Sequence, residues 1–142
     1  MDNRPSSHSI HNLQVHFVWI TKYRYSVLTG EIQLRCRELI KHTCNALGVQ
    51  ILKGVVSKDH IHLHLSYPPQ LSISDIVKRL KGRSSRLLMQ EFPELHRRYW
   101  VCHFWGIGYG IWSVGTITEE ILQEYLKHHK ELPNNNENFI FE

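Results

Sequence analysis

The chain has 142 residues, 42% of them hydrophobic and 21% charged, which suits one globular domain with a real core. No apolar stretch approaches the roughly 20 residues of a membrane span, and the polar N-terminus lacks the apolar core of a secretion signal, so we expect a cytoplasmic protein without a membrane segment. Three cysteines without a Cys-x-x-Cys pair argue against a zinc ribbon or a disulfide framework. The net charge of +4 is mildly basic and suits a polyanionic partner.

Apolar periodicity predicts seven elements along the chain. Predicted strands alternate or are rich in β-branched and aromatic residues, whereas predicted helices carry apolar residues three or four apart. Before the second helix, a serine followed three residues later by an aspartate is typical of an N-cap. In order, the elements are a strand over Leu13–Thr21, a helix over Glu31–Leu47, strands over Val49–Val56 and His60–Tyr67, a helix from Ser72 to Glu91, a strand over Tyr109–Val114 and a helix from Thr118 to Lys130.

This order of elements predicts one α+β domain over residues 1–142. The pattern β-α-β-β-α-β-α is typical of a ferredoxin-like antiparallel sheet with helices on one face. We expect a core over about residues 12–131 and an irregular tail over 132–142, which holds a proline and four asparagines. Gly82 interrupts the second helical pattern and is expected to permit a close backbone approach or to mark a bend. A sheet of this size has unpaired edges, which favours pairing with a second copy.

Three histidines alternate with aliphatic residues in Asp59-His60-Ile61-His62-Leu63-His64-Leu65. On a strand, His60, His62 and His64 share one face while the aliphatic side chains point into a core. Imidazoles two residues apart can bind one metal ion, but the outer two histidines are roughly 13 Å apart along a straight strand. The run therefore predicts a metal-binding pair. The alternative is a half-exposed strand that carries polar histidines without a ligand.

Basic residues lie beside aromatic residues in two segments. Lys22 and Arg24 alternate with Tyr23 and Tyr25, and five cations fall within nine residues of the second predicted helix. A run of charge is usually a solvated helix face, but aromatic neighbours can stack on nucleic-acid bases. Because the five helix cations cannot all face one way, we expect a subset to contact phosphates. The predicted nucleic-acid contacts are Lys22, Arg24, Arg79, Lys81, Arg83 and Arg86.

The last predicted helix carries Tyr125 and His129, one turn apart on the same face. A tyrosine hydroxyl can attack a phosphodiester, and a metal ion can stabilise the charge that develops on the phosphate. The alternative is a packing tyrosine with its hydroxyl at the surface. Together with the histidine strand, this helix indicates a site for phosphoryl chemistry.

From about Val15 to Lys130 the chain resembles the single-tyrosine HUH transposases of minimal bacterial insertion sequences, the insertion-sequence 200/605 group. The HUH pair alone is weakly specific, whereas the whole order of motifs is strongly so. The motifs are Thr21-Lys22-Tyr23-Arg24, Asp59-His60-Ile61-His62, Pro68-Pro69, Leu80-Lys81-Gly82-Arg83-Ser84-Ser85, Phe104-Trp105 leading to Gly108-Tyr109, Val114-Gly115 and the Tyr125 helix.

The resemblance implies a DNA transposase that cleaves and rejoins single-stranded DNA near hairpins at the ends of its element. His60, His62 and His129 would hold a divalent metal ion, Mg or Mn, and Tyr125 would form a 5′-phosphotyrosine. His129 stands where the family usually has glutamine. Histidine is a competent metal ligand, so this departure leaves two alternatives: a working site with an altered metal preference, or a site whose geometry is lost. The family also implies a homodimer in which the tyrosine helix of one subunit completes the metal site of the other.

Two other interpretations are left open by the residues. The strand nearly matches the histidine-triad nucleotide hydrolases, in which a histidine is the nucleophile, although polar Ser66 stands where that pattern requires an apolar residue. The other is a non-cleaving module, or a domesticated transposase, that only binds single-stranded nucleic acid with its sheet. Dependence on metal and the residue that retains phosphate would distinguish these alternatives.

Overall fold

The computed structural model describes residues 4–5, 10–99, 103–113 and 120–127. Its main elements are β1 (Gln14–Ile20), α1 (Gly30–Leu47), β2 (Gln50–Val56), β3 (His60–Ser66), α2 (Ile73–Glu91), β4 (Gly110–Trp112) and α3 (residues 120–127). Short 3-10 turns cover Lys22–Arg24 and Pro93–Arg97, and Arg4–Pro5 pairs with Ile10–His11. The sequence therefore predicted the main elements correctly, with differences of one or two residues at most ends.

Four antiparallel strands form one sheet in the order β2-β3-β1-β4. The central pair, β1 with β3, is in register from Gln14 opposite Ser66 to Ile20 opposite His60. On its other edge β1 pairs with the short strand β4, and β3 pairs with β2 across a bulge between Ile51 and Lys53. This is the ferredoxin-like α+β arrangement that the order of elements predicted.

One face of the sheet forms the main core under α1 and α2. Phe17 and Trp19 of β1 and Ile61 of β3 are fully buried there, because alternate strand residues point to that side. Each helix carries the end signal expected from its sequence. Helix α1 stops at Gly48, whose φ of 75° is readily available to glycine, and the Ser72 hydroxyl accepts the first-turn N–H of α2.

Helix α3 packs on the opposite face of the sheet, so only α1 and α2 lie on the one face that the order of elements predicted for the helices. Val18 and Ile20 of β1 form a second apolar cluster with Leu126, and all three side chains are buried. Strand β1 is consequently buried on both of its faces. This packing places the tyrosine helix on the side of the sheet that α1 and α2 leave uncovered.

Some predictions concern residues at the limits of the described ranges. The predicted strand over Tyr109–Val114 is observed at Gly110–Trp112, and Thr118, Lys130 and the tail 132–142 lie outside the described residues. The close approach expected at Gly82 is wrong, because a Cβ there would meet nothing within 4 Å and α2 runs through it unbroken. In the described ranges, no helix combines the length and apolar character needed to cross a bilayer.

Candidate active site

The histidines of β3 lie on the same side of the sheet as α3. Directly opposed residues of antiparallel strands point to the same face, so cross-strand partners form rows. Two such rows run across β3, β1 and β4, and with the Ile20–His60 pair they form what we call the histidine face. The first row is His62, Val18 and Gly110, and the second is His64, His16 and Trp112.

His62 is packed against a histidine of the neighbouring strand. The Nδ1 atom of His16 lies 3.4 Å from Nε2 of His62, and His16 is itself buried. Burial, reinforced by the nearby cationic forms of His16 and other neighbours, lowers the pKa of His62 to about 4. His62 is therefore neutral at pH 7, the form in which imidazole binds a metal ion.

His60 is oriented by the carboxylate of the preceding residue. Its Nδ1 lies 2.9 Å from Oδ1 of Asp59. Burial alone would raise the pKa of Asp59, but hydrogen bonds from His60 and Arg24 outweigh it and hold that pKa below its usual value. An ionised carboxylate on Nδ1 fixes the ring and leaves Nε2 for another partner, an arrangement common among metal-binding histidines.

His64 is engaged elsewhere on the histidine face. Its Nε2 lies 2.9 Å from Oε1 of Gln14, and its ring stacks on His16 with 4.1 Å between centroids. Across the described ranges, no group of three His, Cys, Asp or Glu side chains is arranged to hold a metal ion. His129, the predicted third ligand, lies outside them. Among the described residues, the candidate metal ligands are thus the pair His60 and His62.

Tyr125 packs on the far end of the His62 row. A Cβ built at Gly110 would lie 3.0 Å from Cδ1 of Tyr125, and the tyrosine ring meets Trp112 edge-on at 6.2 Å between centroids. Gly110 is two strands from His62, which is about 10 Å at ordinary strand spacing. Burial raises the pKa of the Tyr125 hydroxyl to about 12, so the phenol is protonated at neutral pH. The predicted nucleophile and the histidine pair thus share one face.

Arg24 links this face to the tyrosine helix. Its Nε and Nη2 donate to Oδ2 of Asp59 at 3.1 and 2.8 Å, and its Nη1 donates to the carbonyl of Leu126 at 3.1 Å. The side chain is only 23% exposed. The sequence predicted Arg24 as a DNA contact, whereas the structure directs its guanidinium to acceptors within the protein.

The remaining predicted DNA contacts are divided between two places. Three arginines of α2, spaced by four and three residues, line a cleft of about 560 Å³ against α1. We call it the arginine cleft, and it is lined by His42, Thr43, Ala46, Leu47, Arg79, Arg83 and Arg86. The alternative interpretation was that these arginines only form a solvated helix face. It does not describe Arg83 fully, because Nη1 of Arg83 donates to the Thr43 hydroxyl at 3.1 Å.

Lys81 and Lys22 lie outside the arginine cleft. The Lys81 ammonium donates to the carbonyls of Gly106 and Gly108 at 2.9 Å each, and burial lowers its pKa to about 8. Lys22 lies over the ring of Tyr23, 5.0 Å from its centroid. The structure therefore brings together only half of the six predicted DNA contacts.

Sequence reasoning missed His16 and the role of Asp59. The sequence did contain a signal for His16. Side chains alternate along a strand, so His16 had to lie on the same face of β1 as Val18. Its alignment with His62 depends on the register between β1 and β3, which no local pattern reveals. Asp59 was visible as the residue before the histidine run, but its partner Arg24 lies 35 residues away.

Comparisons with known proteins identify the family of this chain. The family described as "Transposase IS200 like" matches residues 9–129. The ISDra2 transposase TnpA of Deinococcus radiodurans is 34% identical over 124 residues, which cover 86% of this chain and 89% of that protein.

Solved structures give the same result for the fold. A crystal structure of a putative transposase from Deinococcus radiodurans R1 superposes with a TM-score of 0.81 at 30% identity, covering 88% of this chain and 96% of that one. A REP-associated tyrosine transposase bound to a REP hairpin shares the fold, with a TM-score of 0.52 at 14% identity over 96% of this chain and 73% of that one. With its histidine face, its tyrosine helix and this match along most of its length, the chain belongs to the IS200-like transposase family.

Proposed function

We propose that this transposase cleaves and rejoins single-stranded DNA with Tyr125 as the nucleophile and a divalent metal ion at His60 and His62. The observation that carries the proposal is the cross-strand row that contains His62 and Gly110. Tyr125 packs on Gly110, so the tyrosine and His62 lie on the same side of the sheet. The histidine-triad interpretation would leave this tyrosine helix unused. Membership of the transposase family also argues against that interpretation.

The donor set fits a divalent metal ion. His62 is neutral at pH 7, and the Asp59 carboxylate orients His60 through its Nδ1, so both rings can offer a nitrogen lone pair. Imidazole donors suit transition ions better than Mg²⁺, so of the two ions implied by the resemblance we favour Mn²⁺. When bound, the ion would withdraw charge from the scissile phosphate. His129 is proposed as its further ligand.

The reaction of Tyr125 is a transfer of the phosphoryl group from DNA to the phenol. The Tyr125 oxygen forms a bond to phosphorus and loses its proton, while the bond from phosphorus to the 3′ oxygen breaks and that oxygen gains a proton. The products are a 5′-phosphotyrosine and a free 3′-hydroxyl. Rejoining is the reverse attack by a 3′-hydroxyl. Burial raises the pKa of the Tyr125 hydroxyl to about 12 in the metal-free protein, so the phenol must lose its proton in the course of the reaction.

The arginine cleft is proposed to hold the phosphates of a DNA hairpin. Three arginines line it, and arginine binds phosphate through a planar fork of donors. The related tyrosine transposase of known structure is bound to a hairpin. The cleft lies between the two helices that cover the main core, so binding and cleavage would use opposite faces of the sheet. Lys78, exposed on α2 outside the cleft, offers a matched control.

We further propose a homodimer that pairs through the edge of β2. This edge strand is seven residues long and largely exposed, including Leu52 and Val55, whereas β4 at the other edge has three residues. An exposed edge of this length is a ready template for another copy. Within the chain described, α3 lies on its own sheet. In a dimer that exchanges α3, the same contacts would form between subunits and give the shared site.

Replacement of the proposed nucleophile tests the function directly. The Tyr125→Phe protein should bind single-stranded hairpin DNA with unchanged affinity and form no covalent adduct on a denaturing gel, whereas the wild-type protein should form one with Mn²⁺. Tyr109→Phe is the matched control, because that tyrosine packs edge-on against Phe17 on the core side. An adduct from the Tyr125→Phe protein would refute the assignment. Absence of any adduct from the wild-type protein would favour the non-cleaving alternative.

A further inference from the structure

Arg24 connects three segments that are far apart in the sequence. It belongs to the turn after β1, it binds Asp59 just before β3 with two donors, and it binds Leu126 of α3 with a third. The second oxygen of the same carboxylate contacts Nδ1 of His60. A continuous chain of polar contacts therefore runs from the backbone of the tyrosine helix to one of the proposed metal ligands.

The backbone that carries Arg24 is held in an unusual conformation. Tyr23 and Arg24 have φ values of 61° and 55°, in the left-handed region that residues with a side chain rarely adopt. The turn is anchored around them: the Tyr99 hydroxyl donates to the carbonyl of Lys22 at 3.1 Å, and the Arg24 N–H donates to Thr21 at 2.9 Å. Strain of this kind persists where the surrounding structure fixes it, and it occurs often at functional sites.

We propose that Arg24 is a positioning residue, which fixes α3 and with it Tyr125 relative to the His60–His62 pair. The proposal rests on the function proposed above. The guanidinium is suited to this task because its planar fork can donate to a carboxylate on one side and to a carbonyl on another at once. If α3 is exchanged within a dimer, Arg24 makes the same contact with the partner's Leu126, so the proposal is independent of that exchange.

This role differs physically from a contact with DNA phosphate. A positioning residue changes the mobility of α3 in the free protein and the rate of the chemical step. A phosphate contact changes DNA affinity and its dependence on salt. Arg24→Lys separates the two, because it retains the positive charge beside Asp59 but cannot span both acceptors. It also keeps a partner for the buried carboxylate, so that the protein remains folded.

Hydrogen exchange of the DNA-free, metal-free protein is the first measurement. In Arg24→Lys, the amides of residues 120–127 should exchange about tenfold faster than in the wild type, the typical effect of losing a charged hydrogen bond. The matched control is Arg35→Lys, which alters an exposed bidentate ion pair with Glu91 between α1 and α2. That control should leave exchange in α3 unchanged. Equal protection of α3 in Arg24→Lys and the wild type would overturn the proposal whether or not the protein cleaves DNA.

Single-turnover cleavage is the second measurement. With saturating DNA and Mn²⁺, Arg24→Lys should lower the rate by about 100-fold, the cost of misplacing a reacting group by about 1 Å, while the DNA dissociation constant is unchanged. A weaker affinity with a smaller salt slope and an unchanged rate would identify a phosphate contact and overturn the proposal. If the wild-type protein itself fails to cleave, the proposed function falls, and the exchange experiment still decides whether Arg24 positions α3.

Discussion

The contact between Gly110 and the tyrosine helix can be tested by adding one methyl group. Gly110 lies in β4 at the end of the His62 row, and Trp112 and Tyr125 pack against its α-carbon. In Gly110→Ala, the new Cβ would stand 2.7 Å from Cη2 and 2.9 Å from Cζ3 of Trp112, and 3.0 Å from Cδ1 of Tyr125. Real Cβ contacts essentially never fall below 3.0 Å and are seldom as short as 3.0 Å, so the Trp112 ring must move away and the Tyr125 ring must shift by a smaller amount.

The size of the effect follows from these distances. Ordinary carbon–carbon contact begins at about 3.5 Å, so the Trp112 ring must retreat by about 0.8 Å and the Tyr125 ring by about 0.5 Å. Overpacking of this kind costs about 1–3 kcal/mol of unfolding free energy. Because a displacement of about 1 Å at a reacting group can cost about 100-fold in rate, we expect about a tenfold slower cleavage from the smaller shift of Tyr125.

The assay is single-turnover cleavage of a labelled single-stranded hairpin, with chemical denaturation measured in parallel. Gly82→Ala is the matched control, since a Cβ there meets nothing within 4 Å and alanine favours the helix by about 1 kcal/mol. The control should be more stable and cleave at the wild-type rate. Wild-type stability and rate in Gly110→Ala would refute the close packing of Tyr125 on β4.

Three further predictions concern the metal pair, the arginine cleft and the dimer. His62→Ala should abolish both DNA cleavage and the Mn²⁺ binding measured by calorimetry, whereas His64→Ala should retain a substantial part of both. Equal losses in the two variants would show that the metal site is not the His60–His62 pair. Replacing Arg83 and Arg86 together with glutamine should reduce the slope of log affinity against log salt by about 0.7–0.9 for each lost phosphate contact, the range from single-stranded to duplex DNA, and an unchanged slope would show that neither arginine contacts phosphate. Mixing and refolding Tyr125→Phe with His62→Ala should restore about a quarter of wild-type cleavage if subunits exchange α3, because half of the dimers are mixed and each has one intact site. No recovery would show that each chain completes its own site.

The sequence alone was sufficient for the elements, the fold class and the faces of the strands. Side chains alternate along a strand by covalent geometry, so the run from His60 to Leu65 had to place its histidines on one side and its aliphatic residues on the other. The N-cap at Ser72 and the helix stop at Gly48 are likewise local, and the structure has both. The order of motifs also identified the transposase family.

Tertiary structure alone decided how distant residues are used. Arg24 was predicted to contact DNA from its charge and aromatic neighbours, and the structure shows that three of its five N–H groups donate to Asp59 and Leu126. His16 gained its place beside His62 through the register of two strands that are joined by more than 35 residues. A charged group binds the nearest acceptor in space, and strand register and helix packing determine which acceptor that is. Those relations arise only when the whole chain has folded, and no local pattern encodes them.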